Sequence, residues 1–185
     1  MAQLRLNFRG VSVLLVDRNN YCRSLVAEML RGFGVQNVIS CETGTDAQDQ
    51  LKTNHVELCV IEADLPDMTG ADLINWIRRE NKEPLRFVPI LVLSGYTQLR
   101  MLSVTRNAGA NLLLKKPLSA QALFDRLAWL ARTPRSYIET RNYVGPDRRF
   151  RESAPPDSVF KRETDTPEES AQDEARSEEP RSAAV

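Results

Sequence analysis

Short apolar runs alternate along this chain with stretches of helical period, and that rhythm narrows the possible folds more than any other feature. The candidate strands are residues 11–16, 37–41, 57–61, 88–93 and 111–114. Three of them contain unbroken apolar stretches, Val13 to Val16, Leu58 to Ile61 and Ile90 to Leu93, where a half-exposed strand would alternate with polar residues. Unbroken runs suit strands covered on both faces, as in a parallel sheet. Between them, Cys22, Leu25, Val26, Met29, Leu30 and Phe33 fall on one helical stripe, and Leu73, Ile74 and Ile77 on another. Leu123, Phe124, Leu127 and Ala131 make the last. Gly34 stands where a helix C′ glycine would, and Ser119 where an N-cap would. Five strand-plus-helix units in about 130 residues predict a doubly wound α/β sandwich with a five-stranded parallel sheet, whose ligand edge lies at the strands' carboxyl ends.

The rhythm stops near Arg132. Residues 133–151 interleave Tyr137, Tyr143 and Phe150 with arginines, and residues 152–185 hold few large apolar side chains among Pro, Ser, Glu and Arg. The chain therefore divides into an N-terminal extension (1–10), an α/β domain (11–132), an Arg/aromatic linker or docking segment (133–151) and a disordered acidic tail (152–185). Charge follows this division. Residues 1–150 carry 20 Lys and Arg against 15 Asp and Glu, and residues 151–185 carry 5 against 10. Cys22, Cys41 and Cys59 sit among apolar residues at uneven spacing with no CxxC, which argues for reduced thiols and a cytoplasmic setting. The first ten residues hold no apolar core of the signal-peptide kind, and no run reaches the ~18 apolar residues of a membrane span.

The topology gathers the residues at the strand ends into one place: Asp17, Glu62, Ser94 and Lys116. An acid after the first strand, a carboxylate after the third, a hydroxyl after the fourth and "KP" after the fifth, with "LPDMTG" following Glu62 and "AGA" at Ala108 to Ala110, resemble the receiver domain of bacterial two-component response regulators. The resemblance implies a flavodoxin-like (βα)5 fold. It also implies a histidine kinase as phosphoryl donor, Mg²⁺ as cofactor, an aspartate acceptor at the place of Glu62, phosphate contacts from Ser94 and Lys116, a backbone ligand at Asp64 and a cis Lys116–Pro117 bond.

Two positions depart from that pattern, both at the chemistry. The family's paired acids read here as Asp17 and Arg18, so a permanent cation stands where the main metal-binding acid belongs. Arg18 is then expected to supply its charge to Asp17 or Glu62, and Mg²⁺ to be lost. Glu62 is longer than aspartate by one methylene, about 1.5 Å, enough to spoil in-line transfer while carrying charge toward the place of an acyl phosphate. Asp64 does not inherit the role, because the family's acceptor lies four residues before the loop proline, as Glu62 does before Pro66. The switch aromatic of the fifth strand is replaced by Leu113. Leu99, Val104, Leu113 and an exposed Trp129 outline an apolar patch on the face of the fourth helix, fifth strand and fifth helix, which such domains use for partners or a second copy.

These features predict an atypical single-domain regulator, an adaptor for signalling proteins, and not an enzyme. The alternatives are a conventional relay in which Glu62 or Asp64 is modified, and a nucleic-acid binder using Arg132 to Arg151, which the small net field of that segment disfavours. "YVGPDRRFR" resembles an arginine-rich tail of stand-alone receivers to which the sequence attaches no mechanism. His55, the lone histidine, lies in a polar turn.

Overall fold

A computed structural model describes residues 8–79, 83–95, 99–141 and 143–147, with the side chains of 99–102 left undescribed. The expected disordered tail, together with Phe150 and the last arginines of the Arg/aromatic segment, lies outside the described residues. Five strands, β1 (Ser12–Val16), β2 (Asn37–Cys41), β3 (Leu58–Glu62), β4 (Ile90–Ser94) and β5 (Leu112–Lys115), alternate with α1 (Asn20–Gly32), α2 (Gly44–Thr53), α3 (Gly70–Arg79), α4 (Leu99–Ala108) and α5 (Ala120–Arg132). A short 3-10 turn, Leu85–Phe87, precedes β4. The strands are parallel in the order β2-β1-β3-β4-β5. Val13 pairs with both Val38 and Leu58, Cys59 with Ile90, and Leu91 with Leu112.

The apolar runs are unbroken because both faces of the sheet are covered. Val13, Leu15, Val60, Leu91 and Leu93 pack with Val26, Leu30, Leu123 and Leu127 of α1 and α5. Leu14, Val16, Cys59, Ile61, Ile90 and Val92 pack on the other side with Leu51 of α2 and Leu73, Ile74 and Ile77 of α3. Side-chain oxygens of Asn19, Thr43 and Ser119 accept from Cys22 N, Asp46 N and Ala122 N and so begin α1, α2 and α5. Gly34 adopts φ 100°, the left-handed cap its position predicts.

Four expectations change. Three of the five strands run one residue further toward their carboxyl ends, so Glu62 and Ser94 are themselves the last residues of β3 and β4. Leu25 is 41% exposed, because the buried stripe of α1 runs through Val26, Ala27 and Leu30. Trp129 is half-buried against the α1/α5 cluster, its large ring lying over that layer from the flank of the helix's stripe. The body also exceeds residues 11–132 at both ends. Phe8 is buried, with its ring 6.2 Å from that of Phe124. Part of the Arg/aromatic segment is no free linker, since β6 (Tyr137–Glu139) and β7 (Val144–Pro146) pair antiparallel and pack onto α3.

Candidate functional site

The crossovers bring Asp17, Glu62, Ser94 and Lys116 together at the sheet's carboxyl edge. Asp17 follows β1 and is wholly buried. Its Oδ1 accepts from Asn19 N at 2.8 Å, and its Oδ2 lies 2.6 Å from Lys116 Nζ. Glu62, 8% exposed, brings its Oε1 to 2.7 Å from the same Nζ, and its Oε2 accepts from Arg18 N at 3.1 Å. One ammonium thus bridges two buried carboxylates that begin 45 residues apart in sequence. Lys116 is positioned by the chain on either side: its N donates to Ser94 O at 2.8 Å, and the Lys116–Pro117 bond is cis.

The electrostatics follow from this bridge. Burial raises the Glu62 carboxyl above its ordinary value, and the Lys116 hydrogen bond only partly opposes it. For Lys116 burial is the largest influence and works downward, yet the hydrogen bonds to Asp17 and Glu62 outweigh it and hold the ammonium above its ordinary value. Each carboxylate oxygen of Glu62 is already occupied by a donor.

Arg18 stands within ion-pair distance of Glu62, one of the two acids its position predicts, but its closer partner is Asp64. Its Nη1 lies 2.8 Å from Asp64 Oδ2, while its Nε stands 4.0 Å from Glu62 Oε2. Asp64 and Arg18 are both partly exposed, so this is a surface pair at the rim. The cation shared by Asp17 and Glu62, and the nearer one to Glu62, is Lys116.

The loop after β3 is held with unusual firmness. Asp67 accepts from Gly44 N, Thr45 N and Thr45 Oγ1 at 2.8, 2.9 and 2.8 Å, which ties the loop to the start of α2 and holds its carboxyl down at about 2. Gly70 N donates to Ala63 O at 2.9 Å, and a Cβ on Gly70 would stand 2.4 Å from Glu62 O, so only glycine lets the loop fold back against the site residue. Arg23 Nη1 donates to Asp17 O, a support not foreseen from the sequence. Neither Asp67, which reaches α2 from 23 residues away, nor Arg23, one arginine among many, carried a local signal of these contacts.

The remaining candidates divide. Ser94 is buried at the pocket wall. Leu113 is 3% exposed inside the core layer beneath α3, so it cannot contribute a side chain to an outer face. A hydrocarbon there has no polar tip to draw it outward, which is the physical reason the interface assignment fails for it. Val104 is 46% exposed on α4, Trp129 is half-buried, and the side chain of Leu99 lies outside the described residues. His55 is exposed in its turn.

Comparison with known proteins agrees with this geometry. The family model described as "Response regulator receiver domain" matches residues 13–128. The chemotaxis protein CheY of Pseudomonas aeruginosa is 27% identical over 117 residues, 63% of this chain and 93% of that protein. The sensory/regulatory protein RpfC of Xanthomonas campestris is 26% identical over 143 residues, 77% of this chain but 19% of that protein. Among solved structures, a putative response regulator from Chloroflexus aurantiacus superposes with a TM-score of 0.60 at 26% identity, covering 66% of this chain and 99% of that one.

Proposed function

Because the chain belongs to the response regulator receiver family, we propose that it is an atypical single-domain member: an adaptor that binds signalling proteins without a Mg²⁺-dependent aspartyl phosphorylation cycle. The observation that carries this reading is the Lys116 bridge, 2.6 Å to Asp17 and 2.7 Å to Glu62. In a phosphorylation cycle the lysine's contact with the acceptor site must adjust as a phosphoryl group arrives and leaves. Here the ammonium is held by two carboxylates at once, and Glu62 offers no oxygen free of a donor.

The residues present do not fit the family's metal. A hard divalent cation takes oxygen ligands from carboxylates, carbonyls and water. Both acids at the floor of the pocket are engaged by an ammonium, and the position of the second metal-binding acid holds a guanidinium paired to Asp64. Lys116 and Arg18 already offset two of the three carboxylate charges of Asp17, Glu62 and Asp64, and each stands where a divalent ion would have to approach, so that ion is opposed at short range. Glu62 in turn carries its negative charge one methylene beyond the aspartate position and makes a lasting contact with Lys116. The site therefore serves as a permanent electrostatic latch.

Such a protein acts by surface. The α4–β5–α5 face, with Val104 exposed, is the proposed docking face for a kinase, a downstream effector or a second copy, in a cytoplasmic setting. Nucleic acid is not the proposed partner. Among the described residues of that segment, Glu139 is paired with Arg86 at 2.9 Å and the aromatic Tyr137 is spent on packing, so Tyr137 is not offered for the base stacking that single strands require.

The test is incubation of the full chain with acetyl phosphate and Mg²⁺, followed by intact mass. No phosphoryl adduct is expected; one on Glu62 or Asp64 would overturn the proposal in favour of a conventional relay.

A further inference from the structure

The pocket leaves one strong feature unexplained, at the opposite end of the sheet. Arg78, at the end of α3, is wholly buried, and the hydrogen bonds described for its side chain all go to neutral oxygens. Its Nε donates to Gly109 O at 3.1 Å, Nη1 to Arg86 O at 2.9 Å and Val88 O at 2.8 Å, and Nη2 to Asn111 Oδ1 at 3.1 Å. A buried charge is tolerated only when protein groups satisfy its donors in place of water. This guanidinium gathers the segment before β4, the turn between α4 and β5, and Asn111 just ahead of β5 around one point.

The hairpin β6–β7 closes that point. The Tyr137 ring centroid lies 5.3 Å from Arg78 Cζ, and the same ring meets Phe87 edge-on at 5.1 Å. Tyr137 Oη accepts from Asn111 Nδ2 at 3.2 Å. On the second strand, Val144 is buried, and Gly145 lies so close to Gly109 that a Cβ on it would stand 2.8 Å from Gly109 Cα. Gly109 has φ +106°, and a Cβ there would stand 2.5 Å from Val144 O. Tyr143 Oη turns back to Pro146 O at 2.7 Å, and Asp147 N bonds Ser136 O at 2.8 Å, which pins the hairpin's base. The Tyr-Val-Gly-Pro stretch, to which the sequence attached no mechanism, has one here: a return bond, a buried plug and a glycine-on-glycine contact.

We propose that the strands β6 and β7, with Tyr143 and Asp147 at the hairpin's second half, are a clasp. It seals the Arg78 cation and fixes the α4–β5 turn against α3 and β4, so that the placement of α4 is set from the strands' amino edge and not from the Lys116 latch. The occupant of this docking surface is the chain's own segment, and the body accordingly extends at least to Asp147. This inference does not depend on whether Glu62 is modified.

Residue-resolved amide exchange in the full chain tests it, with Val13–Val16 as the internal reference for global opening. In Tyr137→Ala, residues 105–112 should exchange at least tenfold faster relative to that reference. In Tyr137→Phe, which keeps the ring and loses one hydroxyl, the acceleration should be about fivefold. In Lys116→Met, which destabilises the whole domain, residues 105–112 should accelerate no more than the reference does. Should the alanine variant unfold globally, seen as lost protection at Val13–Val16, the phenylalanine variant decides alone. Acceleration confined to 137–147, or a Lys116→Met variant that loosens 105–112 as much as the clasp variants do, would overturn the proposal.

Discussion

Replacing Lys116 by methionine removes the latch while keeping a side chain of similar length and volume. The ammonium is within 2.7 Å of two carboxylates, one wholly buried and the other 8% exposed, and its own side chain is only 16% exposed. Removing one partner of a buried ion pair costs ~3–5 kcal/mol, because the remaining charge stays desolvated and unpaired. Two carboxylates are left here, so we expect a loss of about 3–5 kcal/mol at pH 7, a large part of the 5–15 kcal/mol typical of a domain, and a fall in melting temperature of roughly 10 °C or more. The pH dependence carries the sharper sign. In the parent, the raised Lys116 contributes stability that is complete below its unfolded value and is lost only as pH rises through its folded value, so it is constant from pH 5 to 8. Glu62, raised by burial, contributes in the opposite region: its share is fullest below its unfolded value and is lost as pH rises. Without Lys116 the downward pull on Glu62 disappears, so the folded variant holds a proton that the unfolded chain has released. The variant should then gain on the parent as pH falls from 8 to 5. Urea unfolding followed by Trp76 and Trp129 fluorescence at four pH values measures this. A deficit under about 1 kcal/mol at pH 7, or one that is flat from pH 5 to 8, would refute the latch as the principal interaction of the pocket.

The double variant Arg18→Asp with Glu62→Asp should acquire Mg²⁺ binding, read as a rise in melting temperature of the variant alone; the absence of any metal-dependent shift would mean the pocket differs from a receiver site by more than these two residues. Gly70→Ala drives a methyl to 2.4 Å from Glu62 O and should cost about 2 kcal/mol or more in urea unfolding, against near neutrality if the loop can move aside. Asp67→Asn should cost about 1 kcal/mol through weaker capping of α2. The held-down Asp67 carboxyl contributes above its unfolded value, and that contribution is lost as pH falls through about 2, so the parent's advantage should close between pH 4 and 2. Val104→Glu should leave stability within about 0.5 kcal/mol while abolishing any concentration-dependent association in sedimentation; association that survives moves the interface off α4.

Reading strands and helices from this chain worked because each element's periodicity is a local property. Val13 to Val16 is unbroken because alternate residues face two different helical layers, and that shows in four letters. The meeting of Asp17, Glu62, Ser94 and Lys116 was legible for a related reason: parallel strands with right-handed crossovers bring their carboxyl ends to one edge whatever the side chains are. Arg18 was harder. Its place in the chain was known, but a long flexible side chain chooses among acids by reach and angle, and it reaches Asp64 at 2.8 Å while its Nε remains 4.0 Å from Glu62. Leu113, placed by resemblance at a switch and at an interface, is enclosed because its position on β5 points into the layer with α3.

The order of apolar runs, caps and turns in the sequence by itself determined a doubly wound sheet with an altered acidic edge, since those signals act over a few residues. Only the tertiary structure decided that Lys116 bridges two acids, that Arg18 turns to the rim, and that the strands β6 and β7 close over Arg78. Each of these is a contact between segments tens of residues apart, where distance and exclusion of water set the energy, and neither quantity exists until the chain has folded.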